Sequence, residues 1–437
     1  MVPADDHARL RLARAAWLGV AAIMGWAMFR MLRATTRFGS GDFEHFYKAA
    51  EAMLLGTDPY SSNQGGYIYP PLFAWSIQPL VWLGEFAGGR AWGLVNFVLI
   101  AGSLHLWLTI VQQRLGAPRD QLTRASTCLL ALLLSIEPVR WVMENGQSDA
   151  ITLAAFTLAL WWIDRAPAWA GAVLSIAVQI KHQAILPVLY LAVRGRWWSV
   201  VGFAVALPIV AALPILTLGW ERWLDAMRTA YGYVFTVGSG GAPPENTTLH
   251  PITWDKSISI PSAAARALET DAGVPMASVL AAVGLMAMLV LGMSWLVYAK
   301  RRLALFKGRG GVALDVRSRG LTVLEWCGLL VALVVFSPQT EMRHTFLLLG
   351  LHVVAASLLL VPRAGVPRWP LVVGVVLAQL GSRLPPGEPG FEAALAWWRS
   401  IGGASWCALA MWFGLLWTGL AAVKRLEDDS SEAEHAE

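Results

Sequence analysis

Long apolar runs separated by short polar loops set the pattern of this chain. The runs fall at about 15–33, 90–111, 122–141, 148–164, 167–181, 183–194, 197–218, 274–299, 321–337, 344–361, 368–382 and 400–422. A helix needs roughly 20 apolar residues to cross a bilayer, and helices satisfy their own backbone polar groups there. The pattern therefore predicts an all-α polytopic membrane protein with about 12 transmembrane helices. Residues 71–86 are apolar but short and interrupted by Pro79, which predicts an interfacial or re-entrant segment. Residues 39–71 cannot sit in lipid. From there Phe43, Phe46, Tyr47, Ala50, Met53 and Leu54 recur with a period of about 3.6. Glu44, His45, Lys48 and Glu51 take the opposite face, with Glu44 and Lys48 spaced for an i,i+4 pair. Gly56 and Pro59 end the pattern. The stretch predicts an amphipathic helix lying on a membrane surface.

Asp42 precedes the first turn of that helix. An Asp there is an N-cap that accepts from free amides, or a carboxylate placed for catalysis at the membrane surface; the two roles are compatible. Asp42-x-Glu44 also has the look of a metal pair, but side chains two apart on a helix diverge. No metal and no cofactor are expected.

Composition supports the membrane reading. Of 437 residues, 56% are hydrophobic and 14% charged, against about 25% charged in soluble domains. The 23 Trp fit interfacial belts. The net charge of +5 is not a nucleic-acid signal, because the basic residues cluster in short loops. Cys128, Cys327 and Cys407 all lie in apolar runs, without the spacing of a disulfide framework or a metal site. The first apolar run is long enough to span, and no small-residue cleavage site follows it.

Loop charge gives an orientation. With twelve crossings, Arg114, Arg119 and Arg124, Arg194 and Arg196, Arg363 and Arg368, and the basic run after Lys300 all face the cytoplasm with both termini. The chain reads as one integral-membrane domain, 1–426, with outer loops 35–89 and 219–273. A disordered acidic cytoplasmic tail, 427–437, follows. Five polar stretches then share the outer side: the Asp42 loop, 143–149, 179–183, 243–251 and 337–344. Polar groups at membrane depth are costly and mark pathways or sites.

These stretches resemble the polyprenol-phosphate-mannose-dependent mannosyltransferases of glycosyltransferase family 87, in the GT-C superfamily. The resemblance rests on Asp42 leading into Phe43-x-x-Phe46-Tyr47-x-Ala49-Ala50 and Leu54-Leu55-Gly56-Thr57-Asp58-Pro59-Tyr60. It continues through Tyr67-Ile68-Tyr69-Pro70-Pro71-Leu72, Glu137-Pro138, Gly146-Gln147, Lys181 with Pro187, Asn246-Thr247-Thr248-Leu249, and Ser337-Pro338 followed by His344. The Asn element is altered, Ser148-Asp149 stands where an Asn is common, and Glu341-Met342-Arg343 precedes His344 where a Trp and a second His are more familiar.

The resemblance implies a GT-C-type fold with outward-facing interfacial helices. It implies an inverting transfer of a sugar, mannose in the family, from a polyprenyl-phosphate donor to an acceptor hydroxyl. The acceptor is a glycolipid, a polysaccharide or a protein. The site then faces the periplasmic or extracellular side of a bacterial inner membrane. Asp42 would act as base. Lys181, Arg343, His344 and His182 would meet the donor phosphate. Glu44, His45, Tyr69, Gln147, Asn246 and His250 would contact the substrates.

Plainer readings stand beside these. Lys181 is a snorkelling lysine, Arg343 with Glu341 a surface ion pair, His344 a satisfied interfacial histidine and Gly146-Gln147 a turn. Asn246-Thr247-Thr248 is formally a glycosylation sequon. The alternative functions are a transporter or flippase of a lipid-linked saccharide, which would show repeats and broken helices, and transfer of another sugar such as arabinose.

Overall fold

The computed structural model describes residues 4–35, 41–61, 66–239, 241, 243, 249–301, 303, 316–382 and 392–436. Among them every regular element is helical apart from one isolated bridge, Thr270 to Gly273. The first part of the chain holds α1 (Ala4–Ala34), α2 (Asp42–Leu54), α3 (Pro71–Val81), α4 (Glu85–Arg114), α5 (Gln121–Leu134) and α6 (Ile136–Asn145). Then come α7 (Asp149–Trp162), α8 (Pro167–Val178), α9 (Ile185–Val193), α10 (Trp197–Ala212), α11 (Ile215–Leu218) and α12 (Trp220–Gly238). The last part holds α13 (Ile260–Leu268), α14 (Met276–Lys300), α15 (Val316–Val335), α16 (Leu349–Leu360), α17 (Trp369–Ser382), α18 (Glu392–Ser400) and α19 (Gly403–Ala436). A 3₁₀ turn, Met342–Leu348, leads into α16.

Among the described residues, 7 helices are long and apolar enough to cross a membrane, or up to 8 if the bent pair α5–α6 is one span. Shorter apolar helices accompany them at Asp149–Trp162, Pro167–Val178, His182–Val193 and Trp369–Ser382. The chain is a polytopic helical membrane protein. At 11 residues, α3 rises only about 16 Å, well short of the roughly 30 Å hydrocarbon core.

The main core binds α4, α5, α7, α15, α16 and α19, with Trp107, Trp326 and Phe346 wholly enclosed. Close pairs include α8 with α10, α17 with α19 and α1 with α5. Where α8 crosses α10, a Cβ on Gly171 would stand 1.7 Å from the Ser199 carbonyl oxygen. Small residues that let helix backbones touch are a membrane packing device. A second cluster gathers α2, α3 and α12 around Phe46, Tyr47, Phe73 and Trp92. The apolar face of α2 packs there, with Phe43, Phe46, Tyr47, Ala50 and Met53 buried and Leu54 left exposed. The helix is therefore seated on protein as well as amphipathic.

One expectation needs correction. The run 122–141 is not one straight span: α5 and α6 meet at 69°. Pro138 explains the break, because its ring clashes with the carbonyl four residues back, at Leu134, and has no N–H to give it. That carbonyl accepts from Gln379 Nε2 at 3.1 Å instead, and Ser135 Oγ pairs with His352 Nδ1 at 2.6 Å. At the acidic end α19 runs to Ala436. An i,i+4 pair, Arg425–Asp429, and an ion pair from α15, Arg317–Glu427, form along α19 before that end.

Candidate active site

Between the ends of α2, α6, α8 and α12 and the segment 337–344 lies a cavity of about 610 Å³. Asp42, His45, Tyr69, Gln147, Lys181, His182, His250, Arg343 and His344 all line it. Nine of the eleven candidate residues from the sequence thus converge. Glu44 does not: it pairs with Lys48 on α2 and faces a separate small pocket with Glu85 and Glu144. Side chains two apart on a helix point away from each other, which removes the Asp42–Glu44 metal pair. Among the described residues no group of three or more His, Cys, Asp or Glu side chains is arranged to hold a metal ion. Asn246 lies outside the described residues.

The N-cap of α2 is Gly41, and Asp42 is its first helical residue. The cap reading of Asp42 is therefore replaced by another. Its Oδ2 accepts from Gln147 Nε2 at 2.5 Å and lies 3.5 Å from Arg343 Nη1. Gln147 is held in turn. Asn96 Nδ2 donates to its carbonyl at 3.1 Å, and Trp92 Nε1 donates to the Gly146 carbonyl at 2.8 Å. Gly146 ends α6 in the left-handed region, φ 62°, and a Cβ there would meet Phe43 Cβ at 2.8 Å. This residue brings the Gln147 turn against the start of α2. Gly146→Ala is expected to destabilise the protein by about 1–3 kcal/mol, and to lower activity through Gln147. A thermal unfolding midpoint equal to that of the unsubstituted protein would show that the contact is dispensable.

Lys181 is no snorkelling residue. Its Nζ makes a 2.8 Å ion pair with Asp149 Oδ1, and the Asp149 side chain is fully buried beneath the cavity. Arg343 is likewise no plain surface pair. Its Nη2 lies 2.5 Å from Glu341 Oε1 while Nη1 faces Asp42, and all three side chains are roughly a quarter exposed at 26–28%. Burial raises the Glu341 carboxyl above its ordinary range; the Arg343 charge opposes the rise and the Asp42 charge adds to it. His344 Nδ1 accepts from the Glu341 backbone N–H at 3.1 Å in a reciprocal cap. With Nδ1 accepting, the ring proton sits on Nε2, and His344 is a neutral donor rather than a cation.

The loop before α3 is fixed by its tyrosines. Tyr67 Oη donates to the Pro70 carbonyl at 2.7 Å and accepts from Ala74 N, and Tyr60 Oη donates to the Tyr69 carbonyl at 2.8 Å. Burial pushes the Tyr69 phenol well up, and the Asp42 and Asp149 charges push it further. Tyr69 therefore offers the cavity a neutral hydroxyl. On the opposite wall His250 stacks on Trp254 at 3.7 Å between ring centres. Burial, then the charges of Lys256 and Arg343, pulls His250 below its usual range. His182 stacks on Tyr231 at 5.2 Å.

Sequence reasoning missed Asp149, Trp254, Lys256 and Gln339. Asp149 carried a usable signal: an acid opening an apolar helix is costly unless paired. Trp254, Lys256 and Gln339 sit in or beside loops whose approach is purely tertiary, Gln339 Nε2 donating to the His250 carbonyl.

A polar cavity lined by charges of both signs and set into a bundle of apolar helices defines a membrane protein with an enzyme-like site. Residues 67–338 match Glycosyltransferase family 87, more than half of the chain, and the chain belongs to that family. It is a glycosyltransferase. The matched region contains Tyr69, Gln147, Asp149, Lys181 and His250, while Asp42, Arg343 and His344 flank it. No curated protein matches the chain.

Proposed function

We propose that the protein is an inverting glycosyltransferase of GT-C type that moves mannose from a polyprenyl-phosphate donor to an acceptor hydroxyl. The observation that carries this is the wall of one cavity where the Asp42 carboxylate, oriented by Gln147, stands beside Arg343, with Lys181 and His344 on the same cavity. Asp42 takes the acceptor proton as the acceptor oxygen bonds to the anomeric carbon. The bond from that carbon to the phosphate oxygen breaks, and its electron pair leaves on the phosphate. Arg343 and Lys181 stabilise that charge, and His344 Nε2–H donates to it. Tyr69, His45 and the His250–Trp254 stack offer hydroxyl, imidazole and aromatic surface to the sugar rings.

Purified protein incubated with synthetic polyprenyl-phosphate mannose and a panel of glycolipid, polysaccharide and peptide acceptors should yield a mannosylated product. Product only from a pentose donor would replace mannose. Movement of lipid-linked saccharide across proteoliposomes without any transfer would restore the transporter reading.

In this proposal twelve crossings place the cavity on the outer face of a bacterial inner membrane, with both termini in the cytoplasm. Ser61 and Arg119 are exposed, and the native cysteines are buried. Ser61→Cys should react with an impermeant thiol reagent in intact cells, whereas Arg119→Cys should react only after lysis. The reverse pattern inverts the orientation.

A further inference from the structure

His250, Trp254 and Lys256 line the active-site cavity, yet residues 249–259 contain no helix or strand. Within itself the stretch closes two tight turns: Trp254 N donates to the Pro251 carbonyl at 2.9 Å, and Ser257 N to the Trp254 carbonyl at 3.1 Å. Such turns fix a local bend but not its place against the rest of the molecule. That place comes from ties to other segments. Gln339 Nε2 donates to the His250 carbonyl. Ile258 N donates to the Thr340 carbonyl at 2.7 Å, and Thr340 N to Ser257 Oγ at 3.1 Å. Ser405 Oγ donates to the Ile258 carbonyl at 2.7 Å. Arg266, in the last turn of α13, supplies the rest. Its Nη1 donates to the Trp254 carbonyl at 2.6 Å and its Nη2 to the Ser257 carbonyl at 3.2 Å. The same Nη2 donates to the Arg399 carbonyl at 2.7 Å, and Nε to the Ser400 carbonyl at 3.4 Å. Those two carbonyls end α18, where a helix leaves its last carbonyls without partners of its own. A basic side chain is favourable there. The end of α18 is held in turn by Trp398 Nε1, which donates to the Gly381 carbonyl of α17 at 3.2 Å. Arg266 and Asp255 line a separate cavity of about 290 Å³ with Glu392 and Arg399, so Arg266 stands behind the wall and not in the site.

We propose that Arg266 is a positioning residue of the active site: by fastening the 254–257 turn to the end of α18, it holds the His250–Trp254 stack where a sugar ring meets it. This rests on the reading above that the stack meets sugar, and adds the group that places it. The stack binds by the face of its rings, and a gap of about 1 Å forfeits up to about half of the dispersion attraction at such a face. The wall has no ladder of its own to prevent that gap. Arginine suits the task because its five N–H donors lie in one rigid plane and reach carbonyls of two segments at once. A lysine would keep the charge but not the fork. Arg266 acts through the backbone of Trp254 and Ser257, and its contacts leave Asp42, Gln147 and Arg343 untouched.

The test uses the full-length protein in lipid nanodiscs with a donor and acceptor pair that gives product. Arg266→Met should raise the KM for one of the two sugar substrates about tenfold, through loss of a pre-organised contact. Its kcat should stay within about threefold and keep its pH dependence, because the base is undisturbed. Arg266→Lys should behave like Arg266→Met. Ser405→Ala cuts another tie of the same stretch and keeps Arg266; it should raise the same KM by about threefold, and it carries the test if Arg266→Met gives no folded protein. Trp254→Ala should raise that KM too. The Ser257 and Ile258 amides should exchange with deuterium about tenfold faster in Arg266→Met. An Arg266→Lys protein with unchanged KM values reduces the role to charge and overturns the proposal. A loss of kcat without a change in KM also overturns it, as does a lower folded yield with both constants unchanged. If Trp254→Ala leaves both KM values unchanged while exchange quickens in Arg266→Met, contact of the stack with sugar is refuted and placement by Arg266 stands. A protein that transfers no sugar refutes the proposed reaction, and the amide exchange then decides the placement by itself.

Discussion

Asp42→Asn is expected to give a folded protein whose turnover is lower by about 10²–10⁴-fold, the usual contribution of a positioned general base. Folding should survive because Gly41, not Asp42, caps α2, and the helix is held by the buried row from Phe43 to Met53. An Asn oxygen still accepts from Gln147 Nε2, so the local geometry persists while the proton acceptor is lost. Donor binding should also persist, since the cations of the cavity are untouched. Glu44→Gln is the control. Glu44 pairs with Lys48 on the other side of the helix, and an i,i+4 pair contributes only about 0.3–0.5 kcal/mol. Its kcat should stay within about threefold of the unsubstituted protein, a change of under 1 kcal/mol. Steady-state transfer with saturating donor measures both variants. An Asp42→Asn protein with undiminished kcat would remove the base from the mechanism.

The regular parts of this molecule were readable because lipid leaves few alternatives. An apolar run must be a helix, and the expected runs recur as α4, α7, α8 and α14 within about five residues of their predicted ends, while α1 begins well before its run, at Ala4, and the run 197–218 divides into α10 and α11. The break at Ser135 was readable in principle, since Pro138 forbids a straight continuation, but the hydrophobicity of 122–141 hides it. At the acidic end charge suggests solvation, while the Arg425–Asp429 i,i+4 pair and Ala and Glu propensity favour helix along α19. At the site, the residue types were visible and their pairings were not. Nothing in the order of the chain says that Gln147 meets Asp42 or that Lys181 meets Asp149. Those contacts depend on α6 turning at Gly146 and α8 ending at Val178. Glu44 stands away from the cavity for a simpler reason: two residues beyond Asp42, it takes another face of α2.

The pairing of Lys181 with Asp149 changes what removal of the lysine should do. A lone phosphate-binding lysine could be deleted without harm to folding. Here deletion leaves the Asp149 carboxylate, wholly enclosed, without its counter-ion. Removing one partner of a buried ion pair costs about 3–5 kcal/mol. Lys181→Met is therefore expected to lower both the folded yield and the thermal midpoint in detergent, and its activity loss alone would not reveal a role in the reaction. The double variant Lys181→Met with Asp149→Asn separates the two effects, because it removes both charges from the site. Its stability should return most of the way. Its kcat/KM for the lipid donor should remain low by roughly 10- to 100-fold, the worth of one charged contact to phosphate at about 1.5–3 kcal/mol. If the double variant regains full kcat/KM, Lys181 serves only to neutralise Asp149, and the donor phosphate is held by Arg343 and His344 without it.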